Sequence, residues 1–296
     1  MKLKRKYYLN KILIIIFVIC LVVIGKDSAL SFAFLDNEEI NISDVLEFYF
    51  FDVGQADSIL VKQNHNTVLI DAGNNEDGKY IVKYLNYIGL EDIDLVVGTH
   101  PHEDHIGGLD DVIDNFLIGE IYMPDAISTS KTFEDVLVSI EYKNYFLNIP
   151  QIDSEIQLGD MIFKVLYTGN DENDLNNTSI VLKLIFGNTS YLVMGDATSN
   201  TERLILNKNI RANVLKVGHH GSKYSTTNEF LNKVDPMYAI IMVGNDNNYG
   251  HPTKEVLNKL KKKNTIVYRT DIDGTIKLTS DGNNINIETL DISLNG

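Results

Sequence analysis

Three histidines and an aspartate fall within six consecutive residues of this chain, in the pattern H-x-H-x-D-H. They are His100, His102, Asp104 and His105. A short apolar run at residues 93–97 precedes them and predicts a buried strand, and a helix-like segment at 109–116 follows. Between them, Gly107 and Gly108 permit close backbone approach. Imidazoles and a carboxylate at the end of a buried strand are suitable ligands for a transition metal, so the stretch predicts a metal site.

Further candidate ligands also follow short apolar runs. They are Asp196, the adjacent pair His219 and His220, and His251. Because each stands at the end of a predicted strand, all of them could lie on one rim of the same fold. Asp196 has an alternative role as a cap for the helical segment near Ser199. Adjacent residues on an extended chain point in opposite directions, so we expect only one of His219 and His220 to bind metal.

The elements that must position these residues alternate between strand-like and helix-like patterns. Strand signals cover residues 46–53, 58–62, 67–71, 120–124, 161–167, 179–186, 190–194, 212–217, 237–243, 265–269, 275–279 and 285–289, and helix signals cover residues 81–88, 132–142, 199–207 and 256–260. No composition shift marks a second domain. The pattern predicts an α/β (α+β layered) domain at residues 46–296, in which helices cover the outer faces of a two-sheet sandwich.

The first 33 residues predict a signal peptide or an N-terminal membrane anchor. A basic stretch, residues 2–11, precedes fourteen uncharged and almost wholly apolar residues at 12–25. That length is typical of a signal-peptide core and is short for a membrane span of about 20 residues. Residues 34–45 then predict a polar linker. We therefore expect an exported protein, extracellular or anchored to the outer face of the cytoplasmic membrane.

Charge and cysteine content exclude some alternatives. The net charge is −15, and residues 1–26 hold six basic residues and no acidic ones. The remaining residues are 20 basic and 41 acidic, a net charge of −21, which argues against an extended basic surface for nucleic acid. The single cysteine, Cys20, lies in the apolar run. An intrachain disulfide and a cysteine zinc ligand in the folded body are thereby excluded.

The histidine-rich stretch resembles the signature of the metallo-β-lactamase fold, and other segments are similar to one branch of that family. They are residues 51–57, 71–73, 215–222, 249–252 and 268–271. Together they resemble the ComEC branch, which comprises the hydrolase domain of the DNA-uptake channel and its stand-alone relatives. The resemblance covers roughly residues 46–280. It implies a metallo-β-lactamase-like αββα sandwich in a free-standing exported relative of the channel domain.

The resemblance also implies a role for each candidate ligand. His100 and His102 would share one metal with a later histidine, and Asp104 and His105 would share a second metal with His219 or His220. Asp196 would bridge the two metals. The later histidine of the first site should lie between residues 168 and 180, where this chain has none. An Asn or Asp in that interval would bind more weakly, so zinc and manganese are both plausible and one or two ions are expected.

Such a site predicts hydrolysis by a metal-activated hydroxide, with a phosphodiester, possibly DNA, as substrate. The catalytic candidates are Asp104 and His251, the latter as a proton donor or a phosphate contact, with helix capping as its alternative role. Substrate contacts are predicted at Asn177, Ser222, Lys223 and Thr270. The alternatives are an exported phosphodiesterase for a small or cell-wall diester, and a weakly catalytic binding module whose first metal site has decayed. No protein partner is evident.

Overall fold

The computed structural model describes residues 45–171, 173–245 and 247–290. The predicted signal peptide or anchor, residues 1–33, lies outside the described residues, as does the predicted linker up to residue 44. Within the described ranges, no helix combines the length and the apolar character that a membrane span requires.

The first sheet has eight strands among the described residues, in the order β15-β14-β1-β2-β3-β4-β5-β6. Its strands are β1 (Leu46–Phe50), β2 (Ser58–Gln63), β3 (Asn66–Ala72), β4 (Asp92–Val97), β5 (Leu117–Tyr122), β6 (Leu147–Asn148), β14 (Thr275–Ser280) and β15 (Ile285–Leu290). Strands β3 to β6 run parallel, and the others pair antiparallel. Parallel strands are covered on both faces, which accounts for the buried Ile93 and the buried apolar run at residues 95–97 of β4.

The second sheet has seven strands in the described part of the chain, in the order β13-β12-β11-β10-β9-β8-β7. Its strands are β7 (Glu155–Leu158), β8 (Met161–Tyr167), β9 (Val181–Phe186), β10 (Thr189–Val193), β11 (Val214–Lys216), β12 (Tyr238–Ile241) and β13 (Ile266–Arg269). Strands β10 to β13 run parallel, and β7 to β10 pair antiparallel.

Helices cover the outer faces of both sheets. They are α1 (Gly78–Tyr87), α2 (Glu103–Ile106), α3 (Leu109–Asn115), α4 (Lys131–Tyr142), α5 (Ser199–Ile205), α6 (Asn228–Val234), α7 (Lys254–Lys262) and α8 (Thr270–Asp273). One apolar core lies between the sheets, a second lies under α1, α3 and α4, and a third lies under α5, α6 and α7. These layers confirm the predicted αββα sandwich.

Strand β5 begins three residues earlier than its sequence pattern predicts. The predicted strand at 120–124 is β5, which begins at Leu117 and contains Gly119. A Cβ atom at Gly119 would lie 2.5 Å from the Asp94 carbonyl oxygen of β4. The glycine therefore permits close strand approach instead of ending the strand.

The carboxyl ends of the parallel strands place the candidate residues on one rim. In the first sheet, β4 leads directly into the H-x-H-x-D-H stretch. In the second sheet, β10 leads to Asp196, β11 leads to His219 and His220, and β12 precedes His251. Because the strands within each set are parallel, their carboxyl ends lie at the same edge of each sheet.

Candidate metal centre

Four of the predicted ligands form one cluster. Asp104, His105, Asp196 and His220 each offer a ligand atom, and these atoms all lie within 4.8 Å of one another. His105 Nε2 is 3.3 Å from Asp196 Oδ1, and His220 Nε2 is 3.4 Å from Asp104 Oδ2. Three of the residues are buried, and Asp104 is partly exposed. We call these four residues the buried half of the centre.

The orientation of His105 is determined by a carboxylate that the sequence analysis did not single out. His105 Nδ1 is 2.7 Å from Asp71 Oδ2, and Asp71 also accepts hydrogen bonds from the Thr99 amide and hydroxyl, both at 2.7 Å. Asp71 is buried at the end of β3 and has a left-handed backbone (φ +60°). With Nδ1 donating to Asp71, the lone pair on Nε2 is directed into the cluster.

His220 is held by a tight turn. His219 and His220 have φ values of +51° and +50° in the 3-10 turn Gly218–Gly221, so the premise of an extended chain at this pair is wrong. His220 Nδ1 is 2.9 Å from the Met242 carbonyl oxygen, which leaves Nε2 directed towards the cluster. His219 Nε2 lies 3.7 Å from Asp196 Oδ2, against 3.6 Å for His220 Nε2, so both rings reach Asp196.

A fully buried ion pair lies behind this half. Lys216, on β11, pairs with Asp57, which directly precedes β2, and both side chains are almost completely excluded from solvent. Asp57 Oδ1 is 3.5 Å from His220 Nδ1, and Asp57 Oδ2 is 3.9 Å from His105 Nδ1. The lysine therefore places a positive charge beside a centre that is rich in carboxylates.

The first two histidines of the signature form a second group, which we call the paired half, and the His100 ring lies beside the His105 ring with centroids 4.1 Å apart. His100 Nε2 lies 2.9 Å from His102 Nδ1, which is hydrogen-bond distance. His100 is buried, and His102 is partly exposed at the N-terminal cap of α2. Among the described residues, neither ring contacts a carboxylate at hydrogen-bond distance.

Burial and neighbouring charges shift the pKa values of His105 and His100 in opposite directions. Burial alone would lower the pKa of His105, but Asp196, Asp71 and Asp104 outweigh it and raise that pKa well above the usual value. For His100, burial and the neighbouring His105 hold the pKa well below its usual range. Burial would raise the pKa of Asp196, but His220 and His105 lower it strongly.

Several buried polar atoms of the centre have no hydrogen-bond partner, as a metal site would require. Within the described ranges they include His105 Nε2, His220 Nε2 and Asp196 Oδ1. Two imidazole nitrogens and a carboxylate oxygen are typical donors for zinc, manganese or iron, and an unpartnered buried polar group is otherwise costly. The residues of the buried half therefore fit a divalent cation.

The cluster opens into a cleft of about 500 Å³. Its lining includes Gln55, Asn74, His102, Glu103, Asp104, Asn176, Asp196, His219, His220, Tyr249 and His251. The His251 ring stacks against Tyr249 and meets His219 edge to face, with centroids 5.8 Å apart in both pairs. Burial and then His219 lower the pKa of His251, so its ring is neutral at pH 7.

The four predicted substrate contacts do not line the cleft. Asn177 is buried and accepts hydrogen bonds from Thr198 and Thr201. Ser222 and Thr270 are also buried, with hydroxyls bonded to nearby backbone groups. The prediction that these three residues contact substrate is therefore corrected, because their polar atoms form hydrogen bonds within the protein. Lys223 is exposed, with its Nζ 5.1 Å from the centre of the Tyr224 ring, and its role stays a prediction.

Sequence reasoning assigned no role to three residues that surround the centre, Asp57, Asp71 and Lys216. Asn176, which lines the cleft, lies in the interval where an Asn or Asp donor was expected. The signal for Lys216 was present, because a lysine inside an apolar strand needs a buried partner. Its partner Asp57 is 159 positions away, and no local pattern joins them.

Comparisons with known proteins agree with this geometry. A family model described as "Metallo-beta-lactamase superfamily" matches residues 51–244. "ComE operon protein 3" of Bacillus subtilis is 32% identical over 247 residues, which are 76% of this chain and 32% of that protein. "Competence protein ComA" of Neisseria gonorrhoeae is 30% identical over 232 residues, 77% of this chain and 31% of that protein. The chain thus spans about a third of the length of these relatives.

Solved structures share the fold at low sequence identity. The metallo-beta-lactamase fold protein YhfI from Bacillus subtilis has a TM-score of 0.54 at 12% identity, covering 77% of this chain and 96% of YhfI. Igni18, a metallo hydrolase from Ignicoccus hospitalis, has a TM-score of 0.50 at 16% identity, covering 79% of this chain and 98% of Igni18. At such identities the likeness establishes the fold alone.

Proposed function

This chain belongs to the metallo-β-lactamase superfamily, and on that premise we propose that it is an exported, metal-dependent phosphodiesterase that acts on polynucleotides. Its sequence relatives include competence proteins of the ComEC branch, as the sequence resemblance predicted. The reaction we propose is the hydrolysis of a phosphodiester bond in the cleft.

One observation carries this proposal: the unpartnered ligand atoms of the buried half lie at the base of an open cleft. Asp104, His105, Asp196 and His220 would hold the cation, and Asp104 lines the cleft itself. A divalent cation bound there supplies a Lewis acid that polarises the attacked group and acidifies a water molecule. The buried carboxylates and Lys216 together determine the net charge around the cation site.

We propose that His251 contacts the substrate phosphate. It lines the cleft, and its Nδ1 has no hydrogen-bond partner among the described residues. Its lowered pKa favours a neutral ring at pH 7. Of its two predicted roles, a hydrogen bond to a phosphate oxygen is therefore better supported than donation of a proton.

Two exposed tyrosines favour a polynucleotide. Tyr249 lines the cleft and is 72% exposed, and Tyr224, 62% exposed, lines an adjoining cleft that shares Asn176 and His219 with the first. Exposed aromatic rings beside a cleft can stack unpaired bases, and Lys223 beside Tyr224 would add a cation near the phosphates.

The acidic character of the chain favours a second candidate, a smaller phosphodiester. The net charge of −21 outside residues 1–26 and the exposed Glu103 at the cleft oppose a long polyanion. A small or cell-wall diester would meet less of this repulsion.

The test is hydrolysis by the full chain loaded with manganese or zinc. Its substrates are single-stranded DNA, bis-p-nitrophenyl phosphate and the lactam nitrocefin. We expect cleavage of both phosphodiesters, loss of both activities in Asp104→Asn, and retention in Glu76→Gln, an exposed acid outside the cluster. Cleavage of the small diester without DNA would favour the second candidate. If metal is bound and none of the substrates is hydrolysed, the chain is a binding module and not a hydrolase.

Export rests on the basic stretch and the apolar run of residues 1–33. We expect the full chain to fractionate outside the cytoplasm, in the medium or on the membrane, and a chain lacking residues 1–33 to stay inside the cell. Equal fractionation of both chains would contradict export.

A further inference from the structure

The cleft over the metal centre continues at two ends, and the two continuations differ in charge. One is the adjoining cleft of Tyr224, and the other is a recess bordered by Asp52, Glu76, Asp77 and Glu103, which we call the acidic recess. We propose that a polynucleotide enters along the adjoining cleft alone, so that the chain removes nucleotides from an end and does not cut within a strand. This inference rests on the proposed function and narrows its substrate to polynucleotides with a free end.

Shared lining residues establish the order of these spaces. The cleft over the centre shares Asn176 and His219 with the adjoining cleft, which has a volume of about 370 Å³. It shares Gln55, Asn74 and Glu103 with the nearer part of the acidic recess, which has a volume of about 450 Å³. Among the described residues, the adjoining cleft and the acidic recess have no lining residue in common. The centre therefore lies between them.

The acidic recess disfavours a polyanion. Asp52, Glu76 and Glu103 are exposed, and no lysine or arginine is among the described residues that line the recess. Asp271 also lines it, but the Arg269 guanidinium donates hydrogen bonds to both oxygens of that carboxylate. Since every phosphate of a strand carries a negative charge, a run of phosphates along the remaining carboxylates would be repelled.

The adjoining cleft offers a platform for a base. Tyr224 is 62% exposed and lines this cleft. The Tyr224 amide donates to Ser222 Oγ at 3.3 Å, and the Tyr224 carbonyl oxygen accepts from the Ser199 amide at 2.8 Å. Both bonds involve the main chain of Tyr224, so its ring is free to stack. A base of any identity can stack on an exposed aromatic ring.

Two cations border the adjoining cleft. Lys223 Nζ lies 5.1 Å from the centre of the Tyr224 ring, and the Arg203 guanidinium donates to Oδ1 of Asn200, which lines the cleft. The acid of this cleft, Asp174, accepts a hydrogen bond from the Asn176 amide at 3.1 Å. The adjoining cleft therefore suits the phosphates of a strand better than the acidic recess does.

A strand that occupies one side of the centre presents its terminal phosphodiester bond there. Hydrolysis joins the oxygen of a water molecule to phosphorus and breaks the bond from phosphorus to the neighbouring sugar oxygen, which takes one proton of that water. The other proton stays on the new phosphate end or passes to solvent. The products are a terminal nucleotide and a strand that is shorter by one. Cutting an internal bond would instead require a run of phosphates along the acidic recess.

The main test compares a linear single strand of DNA with a closed circle of the same sequence and length, using the full chain loaded with manganese. We expect mononucleotides from the linear strand and loss of the circle on the order of 100-fold more slowly, because charge in a cleft changes association by about 10–10³-fold. The Asp104→Asn chain, purified in the same way, measures any contaminating exonuclease.

Each outcome of this test has one meaning. Equal rates for the two DNAs, or internal fragments as the first products, would overturn the proposal. Bis-p-nitrophenyl phosphate is hydrolysed in parallel. If it is cleaved while the linear strand is not, the proposal is wrong and the smaller diester is the substrate. If neither it nor DNA is cleaved, the proposed function itself is wrong.

Charge reversal in the acidic recess tests the cause of the preference. Glu76→Lys should raise the rate for the circle about tenfold relative to the rate for the small diester. Glu91→Lys is the matched control, since Glu91 is an exposed acid directly before β4, at the end of that strand opposite the centre. Equal acceleration in both variants, or none in Glu76→Lys, would overturn the role of the acidic recess.

Removal of the stacking ring tests the other side. Tyr224→Ala should raise KM for the linear strand about tenfold relative to KM for the small diester, which has no base to stack, and Tyr224→Phe should restore it. Tyr142→Ala is the matched control, since Tyr142 is 79% exposed at the end of α4. An equal rise in Tyr142→Ala, or no rise in Tyr224→Ala, would overturn entry along the adjoining cleft.

Discussion

The two halves of the candidate centre are built differently, although both begin in one six-residue stretch. In the buried half, His105 and His220 each have a carboxylate or a carbonyl behind the ring, and Lys216 and Asp57 lie behind these. In the paired half, His100 and His102 contact each other, Thr99 Oγ1 lies 3.2 Å from His100 Nδ1, and the His105 ring packs against the His100 ring. The two halves therefore share one sequence motif and differ in the groups that support their side chains from behind.

The largest effect should come from removing one ligand from each half. We expect His105→Ala to lower kcat for a phosphodiester by about 10³-fold or more, since the cation contributes several kcal/mol at the transition state. His102→Ala should lose one ion, keep the other and lower kcat less. Steady-state kinetics with metal analysis of the same samples measures both. Equal losses in the two variants would remove the distinction between the halves.

The next effect concerns the buried ion pair. Lys216→Met leaves the Asp57 carboxylate buried without its cation, so we expect a loss of about 3–5 kcal/mol in the free energy of unfolding. Urea denaturation of the metal-free chain measures it. The double variant with Asp57→Asn should recover part of the loss, because it removes the uncompensated charge. If the double variant recovers none of the lost free energy of unfolding, Lys216 stabilises the protein by packing and not by compensating charge.

The sequence was enough to predict the architecture and three members of the buried half, Asp104, His105 and Asp196, whereas it left His219 and His220 as alternatives for the fourth. Period-two and apolar runs are local, and the motif at residues 100–105 needs no knowledge of the fold. The parallel strand ends then bring Asp196 and the turn at 218–221 to the same rim. Strand β5 shows the limit, because the role of Gly119 depends on the neighbouring β4 backbone.

The supporting residues could not be predicted in the same way. Asp57 and Lys216 are joined only by tertiary structure, and Asn176 and Asn177 are adjacent with similar chemistry. Which asparagine faces the cleft depends on the threonines near α5, whose hydroxyls bind Asn177. His219 and His220 likewise have left-handed backbone conformations, so the premise that this pair lies on an extended chain is wrong.

A smaller effect is expected at the carboxylate behind His105. Asp71→Asn keeps the shape of the side chain but weakens its bond to His105 Nδ1, so metal affinity of the buried half should fall about 10–100-fold. Calorimetric titration measures this, and the event assigned to the paired half should be unaffected. A change in that event as well would mean that Asp71 supports both halves through Thr99.

The smallest effect is a difference in proton release. A cation must displace any proton on its ligand. The raised pKa values of His105 and His220 keep these rings protonated to a higher pH, whereas the lowered pKa of His100 leaves it neutral at pH 7. The buried half should therefore release protons on binding and lose affinity as the pH falls from 8 to 6, by up to about tenfold per pH unit for each proton. His100 should release no proton when a cation binds. Titration in two buffers of different ionisation enthalpy counts the protons for each event. Equal release from both events would mean that the carboxylates around His105 do not set its charge, and the contrast between the halves would then rest on geometry alone.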